Sequence, residues 1–369
     1  MRLLAVDIGA GTQDILLLDS EQPVENAIQL ILPAPTVIVA ERVRAATRAG
    51  RPIVLTGQLM GGGPCHWAVM DHLRAGLPVF ATPAAALTFD DDLAAVERLG
   101  VRLIADPAEA PAGATVIALR DFYYPEILAA LRLFGVEAEP DAIAVAVFDH
   151  GAAPPGESDR RFRFAYLARR LQETPRLSAF AYLKPEIPPF LTRLRAVADA
   201  FTGPQPLLVM DTAAAAILGA LEDERVRAAA ECLLVNVGNF HTLACYWRDG
   251  AILGLFEHHT GELTPAKLAG YLEKLAAGTL TNEEVFADQG HGALVFDPPR
   301  RRLSEVLLAV TGPRRGLLRG SRLAPYFAVP HGDQMLAGCF GLLQALADHW
   351  PPARAAWDRA RRLTGQPPD

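Results

Sequence analysis

The sequence predicts an α/β protein in two parts, and three observations carry that expectation. Short β-rich runs alternate with helical stretches over most of the chain, the pattern of helices covering a largely parallel sheet. The 369 residues exceed the usual single-domain size of about 100–200 residues. Finally, Gly203, Pro204 and Pro206 crowd together at Thr202–Pro206, after which the pattern restarts, so the expected division is 1–205 and 206–369. With 51% hydrophobic and 21% charged residues, both parts can bury a core, and a disordered or fibrous chain is excluded.

Leu3–Ile8 and Ile15–Asp19 read as apolar strands joined by a glycine turn, so the chain opens with a hairpin. Ala27–Leu32 reads as a third strand, and a helix follows Pro33 and Pro35 through Arg48. Then come Pro52–Thr56 as strand, His66–Ala75 as helix, Pro78–Ala81 as strand and Pro83–Leu99 as one helix. Val101–Ala105, Thr115–Leu119 and Ala142–Phe148 are buried-type strands, with a helix at Glu126–Phe134. Gly151–Asp159 is a Pro- and Gly-rich loop, followed by helical stretches at Phe164–Gln172 and Pro189–Phe201. The second part restarts with a strand at Leu207–Met210 and a helix at Thr212–Leu221. Strands follow at Cys232–Val237, Thr242–Trp247 and Ala251–Phe256. Pro325–Ala328 is strand-like and leads into a helix through Ala347.

The charge balance removes several functional classes. A net charge of -7 opposes nucleic-acid and anionic-membrane partners, both of which need a positive field. Cys65, Cys232, Cys245 and Cys339 make no CxxC spacing, which excludes a zinc ribbon and gives no disulfide framework. Asp7 interrupts the first apolar run, and Ala27–Ala40 is too short and too proline-rich to span a bilayer. The expectation is a soluble, cytoplasmic protein whose partner is a small molecule.

Two glycine turns carry the chemistry. In Asp7-Ile8-Gly9-Ala10-Gly11-Thr12-Gln13-Asp14, glycines let the backbone approach a phosphate, and Thr12 adds a hydroxyl donor. Asp7 and Asp14 repel a bare phosphate but reach it through Mg²⁺ or by orienting water, because hard oxygen ligands suit that ion. A tight hairpin with no further role is the alternative. Val235-Asn236-Val237-Gly238-Asn239-Phe240-His241-Thr242 sits likewise between two strands. Before it lies the small-residue stretch Thr212–Leu221, which also suits a tightly packed helix.

Together these segments resemble the superfamily of actin, hexokinase, acetate kinase and the heat-shock chaperone ATPases. Asp7, Gly9, Gly11, Thr12 and Asp14 match its first phosphate loop. Thr212–Ala216 with Gly219 resembles its connecting helix, and Gly238 with Thr242 its second phosphate loop. Asn236 stands where an acidic residue is expected, and Asn239-Phe240-His241 interrupts the usual glycines. Val329–Gly338, with Gly332 and Asp333, resembles the adenosine-contacting segment without its glycine pair. The resemblance implies a two-lobed actin-like ATPase (ribonuclease H-like) architecture with a nucleotide cleft between the lobes. It leaves residues 57–200 unmatched, as lobe core or insertion. Further strings, Gly57–Pro64, Phe148–Gly151 and His259–Glu262 among them, resemble a prokaryotic family labelled pyruvate formate-lyase activating enzyme. That activity conflicts with the sequence, since such an activase needs three clustered cysteine ligands.

Histidines recur beside Gly or Asp at His150, His258-His259, His291 and His331. None has the spacing of a helix-borne metal pair; ordinary loop histidines, a general base, a substrate contact and a metal ligand all stay open. Arg300, Arg301, Arg302, Arg314, Arg315, Arg319 and Arg322 lie against Glu305 within 300–322. Arg314 and Arg315, in a Gly-Pro loop, suit an oxyanion substrate or an exposed turn.

The resulting expectation is ATP with Mg²⁺ between Gly9–Thr12 and Gly238–Thr242, used for phosphoryl transfer to, or activation of, a small acceptor. Asp7 and Asp14 hold Mg²⁺ or orient the nucleophile. Gly9, Gly11, Thr12, Gly238, Asn239 and Thr242 take phosphates, Gly332 and Asp333 the adenosine, and Arg314, Arg315 and His150 the substrate. A slow nucleotide sensor or partner-binding module, and a metabolite enzyme that has abandoned ATP, are the alternatives.

Overall fold

Apolar runs at both ends of the Gly9–Gly11 turn form the opening hairpin, β1 (Arg2–Ile8) and β2 (Thr12–Asp19), with Asp7 opposite Asp14. A computed structural model describes residues 1–136, 139–296 and 301–364. β3 (Ile28–Pro33) extends the hairpin antiparallel to β2. The chain then leaves this sheet through the helix Pro35–Arg48, whose proline sits in the first turn, where a missing N–H costs nothing. β4 (Ile53–Gly57), β5 (Val79–Ala81), β6 (Val101–Leu103) and β7 (Thr115–Leu119) form a separate parallel sheet of order β6-β5-β4-β7. β8 (Ala142–Val147) returns to lie parallel to β1, followed by β9 (Ala181–Leu183) and β10 (Leu207–Asp211). The first sheet is therefore β3-β2-β1-β8-β10-β9.

The second six-stranded sheet uses β11 (Glu231–Val237), β12 (His241–Arg248), β13 (Ala251–His259), β14 (Gly292–Val295), β15 (Leu307–Thr311) and β16 (Tyr326–Phe327), in the order β14-β13-β12-β11-β15-β16. Strands β3-β2-β1-β8-β10 and β13-β12-β11-β15-β16 repeat one pattern: two antiparallel pairings, then two parallel ones. β10, which restarts the α/β pattern after Pro206, pairs with β8 in the first sheet. The crossing to the second sheet is made by the helix Thr212–Ala220.

That helix explains its own composition. A Cβ on Gly219 would lie 1.7 Å from Ala337 O, and one on Gly341 1.9 Å from Ala215 O. Thr212–Ala220 and the helix Ala337–His349 thus touch backbone to backbone, an approach only small residues allow. One continuous core runs under both sheets, joining Leu3, Ala5, Leu16, Leu208 and Met210 to Cys232, Leu234, Ala309, Phe340 and Trp357. The opposite face of the first sheet buries Leu4, Val6, Ile143 and Val209, so β1 is apolar at successive positions because both its faces are covered.

The stretch Pro83–Leu99 is not one helix but two, Pro83–Ala86 and Leu93–Arg98. Asp90 Oδ1 accepts from Asp92 N at 2.8 Å, and Asp92 Oδ1 accepts from Ala94 N at 2.9 Å. These side chains offer the backbone a turn and a cap in place of helix continuation. Among the described residues no helix is long and apolar enough to cross a membrane. Arg300 and the last residues, 365–369, lie outside the described residues.

Candidate functional site

The two glycine turns project from equivalent strand ends and share one closing bond. Gly9 N donates to Thr12 O at 2.9 Å, and Gly238 N donates to His241 O at 2.9 Å. Asn236 thus stands at the position of Asp7, His241 at that of Thr12 and Leu243 at that of Asp14. The turns meet: a Cβ on Gly11 would lie 3.1 Å from Asn239 Nδ2. Gly9 and Gly238 spend their N–H groups on their own turns. Those of Ala10, Gly11, Asn239 and Phe240 have no main-chain acceptor among the described residues.

Between the turns opens a cleft of about 1090 Å³, lined among others by Asp7, Gly9, Thr12, Asp14, His150, Thr212, Gly238, Asn239 and His241. Its third wall is Gly61–Gly63, the loop after β4. Gly61 N sits 3.2 Å from both Asp121 carboxylate oxygens. A Cβ on Gly63, at φ +60°, would lie 2.9 Å from the Phe240 ring. The unmatched middle of the chain therefore supplies cleft wall.

Asp7 and Asp14 lie side by side at the cleft floor, both buried. Burial, reinforced by Asp14, pushes the Asp7 carboxyl up to about 7, against the Thr212 hydroxyl that donates to Asp7 Oδ1 at 2.5 Å. Burial likewise pushes Asp14 up to about 6, with Asp333 adding repulsion and Thr12 opposing it. Asp14 Oδ1 is buried and has no hydrogen-bond partner. Two crowded carboxylates with an orphaned oxygen suit a hard cation.

At the second sheet's edge stands a histidine group. His150 follows β8, His241 opens β12, His259 ends β13 and His291 precedes β14. His241 pairs with His259 in the β12–β13 register, and Phe148 stacks on His241 at 3.8 Å between ring centroids. Burial holds His241 well below the ordinary imidazole range, so its ring is neutral at pH 7.

Arg163 anchors this group. It is buried, with Nε 2.7 Å from Glu257 Oε2, Nη2 2.9 Å from Asp211 Oδ2 and Nη1 2.6 Å from Asp149 O. Glu257 Oε2 also lies 3.0 Å from His291 Nδ1. Burial alone would raise the Glu257 carboxyl, but Arg163 and His291 outweigh it and hold it well below the usual range. Arg193 pins the same loop by donating to Phe148 O at 2.7 Å while its fork grips Asp121.

Several expected site residues lie elsewhere. Thr242 is wholly buried within β12, its hydroxyl 2.9 Å from Thr260 Oγ1. The alternation of a strand turns Thr242 inward where His241 faces the cleft. Arg314 and Arg315 do not line the cleft; Pro313 does, while Arg314 is exposed and Arg315 Nη1 donates to Gly312 O at 3.2 Å. Gly332 and Asp333 are also outside it, although Gln334, Met335 and Gly338 line it; Asp333 Oδ1 instead accepts from Met335 N at 2.7 Å. Sequence reasoning missed Arg163 and Glu257. A lone carboxylate, Glu257, directly after the apolar run Leu253–Phe256 was the available signal, because unpaired charges are rarely buried.

An α/β protein with two repeated sheets and a polar cleft between their glycine turns is the class that fold and site define. The chain belongs to the family described as "Putative pyruvate format-lyase activating enzyme (DUF1786)", which matches residues 60–317. No curated protein matches the sequence. Among solved structures it is similar to the ethanolamine utilization protein EutJ from Carboxydothermus hydrogenoformans, at 13% identity and a TM-score of 0.30, covering 94% of this chain and 89% of that one. It is also similar to the ROK hexokinase from Thermus thermophilus, at 15% identity and a TM-score of 0.24, covering 100% and 91%.

Proposed function

We propose that the cleft binds ATP with Mg²⁺ and uses it for phosphoryl transfer to, or activation of, a small acceptor. The observation that carries this reading is the pair of matched turns facing each other over Asp7 and Asp14, with Asp14 Oδ1 buried and unpartnered. Asp7 and Asp14 would hold the ion, which when bound neutralises charge on the phosphates. The N–H groups of Ala10, Asn239 and Phe240, without a main-chain acceptor among the described residues, and the Thr12 hydroxyl would then offer donors to phosphate oxygens, whereas Gly11 does not line the cleft. Thr212 keeps Asp7 oriented toward the floor. Gln334–Gly338 and Gly312-Pro313 supply the wall for the rest of the nucleotide.

The activity in the family's description is not part of this reading. Cys65 is buried in one core and Cys232, Cys245 and Cys339 in another; Cys232 and Cys245 lie on neighbouring strands, and among the described residues no three thiols form a metal-holding group. A cluster needs several thiolates at one point.

A second reading, slow nucleotide sensing, is favoured by Asn236, His241 and Leu243 at the positions of Asp7, Thr12 and Asp14, because the second turn then lacks the carboxylate pair of the first. Calorimetric titration with ATP and ADP, with and without Mg²⁺, beside Asp7→Ala and Asp14→Ala, tests both. Micromolar, Mg²⁺-dependent binding lost in both variants supports the nucleotide cleft, and phosphate release with a small acceptor then separates enzyme from sensor. Absence of heat and of thermal shift with every nucleotide overturns the proposal.

A further inference from the structure

The geometry assigns a divalent transition-metal site to His150, His241 and His291, with His259 beside it and Glu257 behind it. One ring nitrogen from each of His150, His241 and His291 lies within 4.8 Å of the others. Such convergence from three separate segments is a tertiary feature with no local sequence signature.

A fourth ring stands beside the three. His259 Nδ1 is 2.8 Å from Gln289 O, and a carbonyl oxygen only accepts, so that nitrogen bears the hydrogen. A neutral His259 ring with its hydrogen on Nδ1 carries a lone pair on Nε2. That atom lies 3.1 Å from His291 Nε2, which sets His259 beside the group as a hydrogen-bond acceptor, while His291 Nδ1 lies 3.0 Å from Glu257 Oε2. A tetrahedral ion with metal–nitrogen bonds of about 2.0–2.1 Å places its ligand atoms about 3.4 Å apart, and the three assigned nitrogens lie within 4.8 Å of one another.

His241 supplies an independent sign, since its Nε2 is buried with no hydrogen-bond partner. Glu257 stands behind the group: a carboxylate 3.0 Å from a ring nitrogen of His291 can orient that ring and raise its basicity. Asp211 and Glu257 against Arg163 leave one net negative charge behind the group, which offsets part of a divalent charge. Neutral imidazoles suit Zn²⁺ and its first-row neighbours rather than Mg²⁺. His150 and His241 belong to the cleft wall, so the coordination position left by three ligands faces the cleft, ready for water or an anionic oxygen donor. This assignment does not depend on nucleotide binding.

The test uses the full chain stripped with chelator, then titrated with Zn²⁺ and with Co²⁺. Expected are one equivalent bound per chain, a visible Co²⁺ absorption band of low-coordinate nitrogen ligation, and a raised melting temperature. His241→Ala and His291→Ala weaken Zn²⁺ at least 100-fold, and His150→Ala, at an exposed position, does so without touching the core. His349→Ala, at a position away from the cleft, leaves Zn²⁺ binding unchanged. Failure of the wild type to bind either ion, with NMR showing an imidazolium at His259 or His291, overturns the assignment in favour of a shared proton. Equal binding by wild type and folded His150→Ala and His241→Ala overturns it as well.

Discussion

Asp7 and Gly338 are in such close contact that a Cβ at 338 would lie 1.8 Å from Asp7 Oδ2. The helix Ala337–His349 thus begins against the carboxylate at the end of β1, and the absence of a side chain at 338 is what leaves that carboxylate room. Gly338→Ala must push Asp7 aside. It is expected to cost about 1–3 kcal/mol and to weaken Mg²⁺-dependent nucleotide binding, read by denaturant melts and calorimetry. Gly270→Ala, in the helix Pro265–Ala277 with open space around it, is expected to stabilise by about 0.5–1 kcal/mol.

The carboxylate pair sets a pH dependence. Both groups are raised in the folded protein, from 3.8 to about 7 for Asp7 and about 6 for Asp14. Between pH 4 and 7 the folded state therefore holds more protons than the unfolded one, and stability falls as pH rises through that window. Asp7→Asn and Asp14→Asn are each expected to melt higher than wild type at pH 7.5 and to match it near pH 4. Mg²⁺ should raise the wild-type melting temperature at pH 7.5 and leave both variants unmoved.

Arg163 balances Glu257 and Asp211 in a buried site. Arg163→Met leaves two carboxylates unpaired and is expected to destabilise by about 3–5 kcal/mol. Arg163→Lys keeps the charge but cannot span three acceptors, so its loss should be intermediate in the same denaturant melts.

Thr12 and Thr242 separate by their faces. Thr12→Val removes a cleft hydroxyl and should weaken ATP roughly tenfold, the worth of one hydrogen bond to a charged group at about 1.5 kcal/mol. Thr242→Val removes only the Thr260 contact and should leave nucleotide affinity unchanged while costing about 1 kcal/mol of stability.

Much of this arrangement was legible locally. Alternating apolar runs set the strands of both halves, the glycines set the turns after β1 and β11, and the pairing of Asp7 with Asp14 follows from their equal distances from a hairpin turn. Binary pattern and turn chemistry act over a few residues, so a linear reading reaches them. The break within Pro83–Leu99 was missed because two aspartates, Asp90 and Asp92, exchanged helix for a turn and a cap. What the chain could not disclose by itself was convergence. His150, His241, His259 and His291 come together because β12, β13 and β14 are neighbours while the loop after β8 packs against them. Arg163 meets Glu257 from a distance of 94 residues. Thr242 lost its expected place to His241 because the pleat of β12 turns one residue outward and the next into the core. Local energetics decide which residues form a strand or a turn; only packing of distant segments decides which side chains share a site.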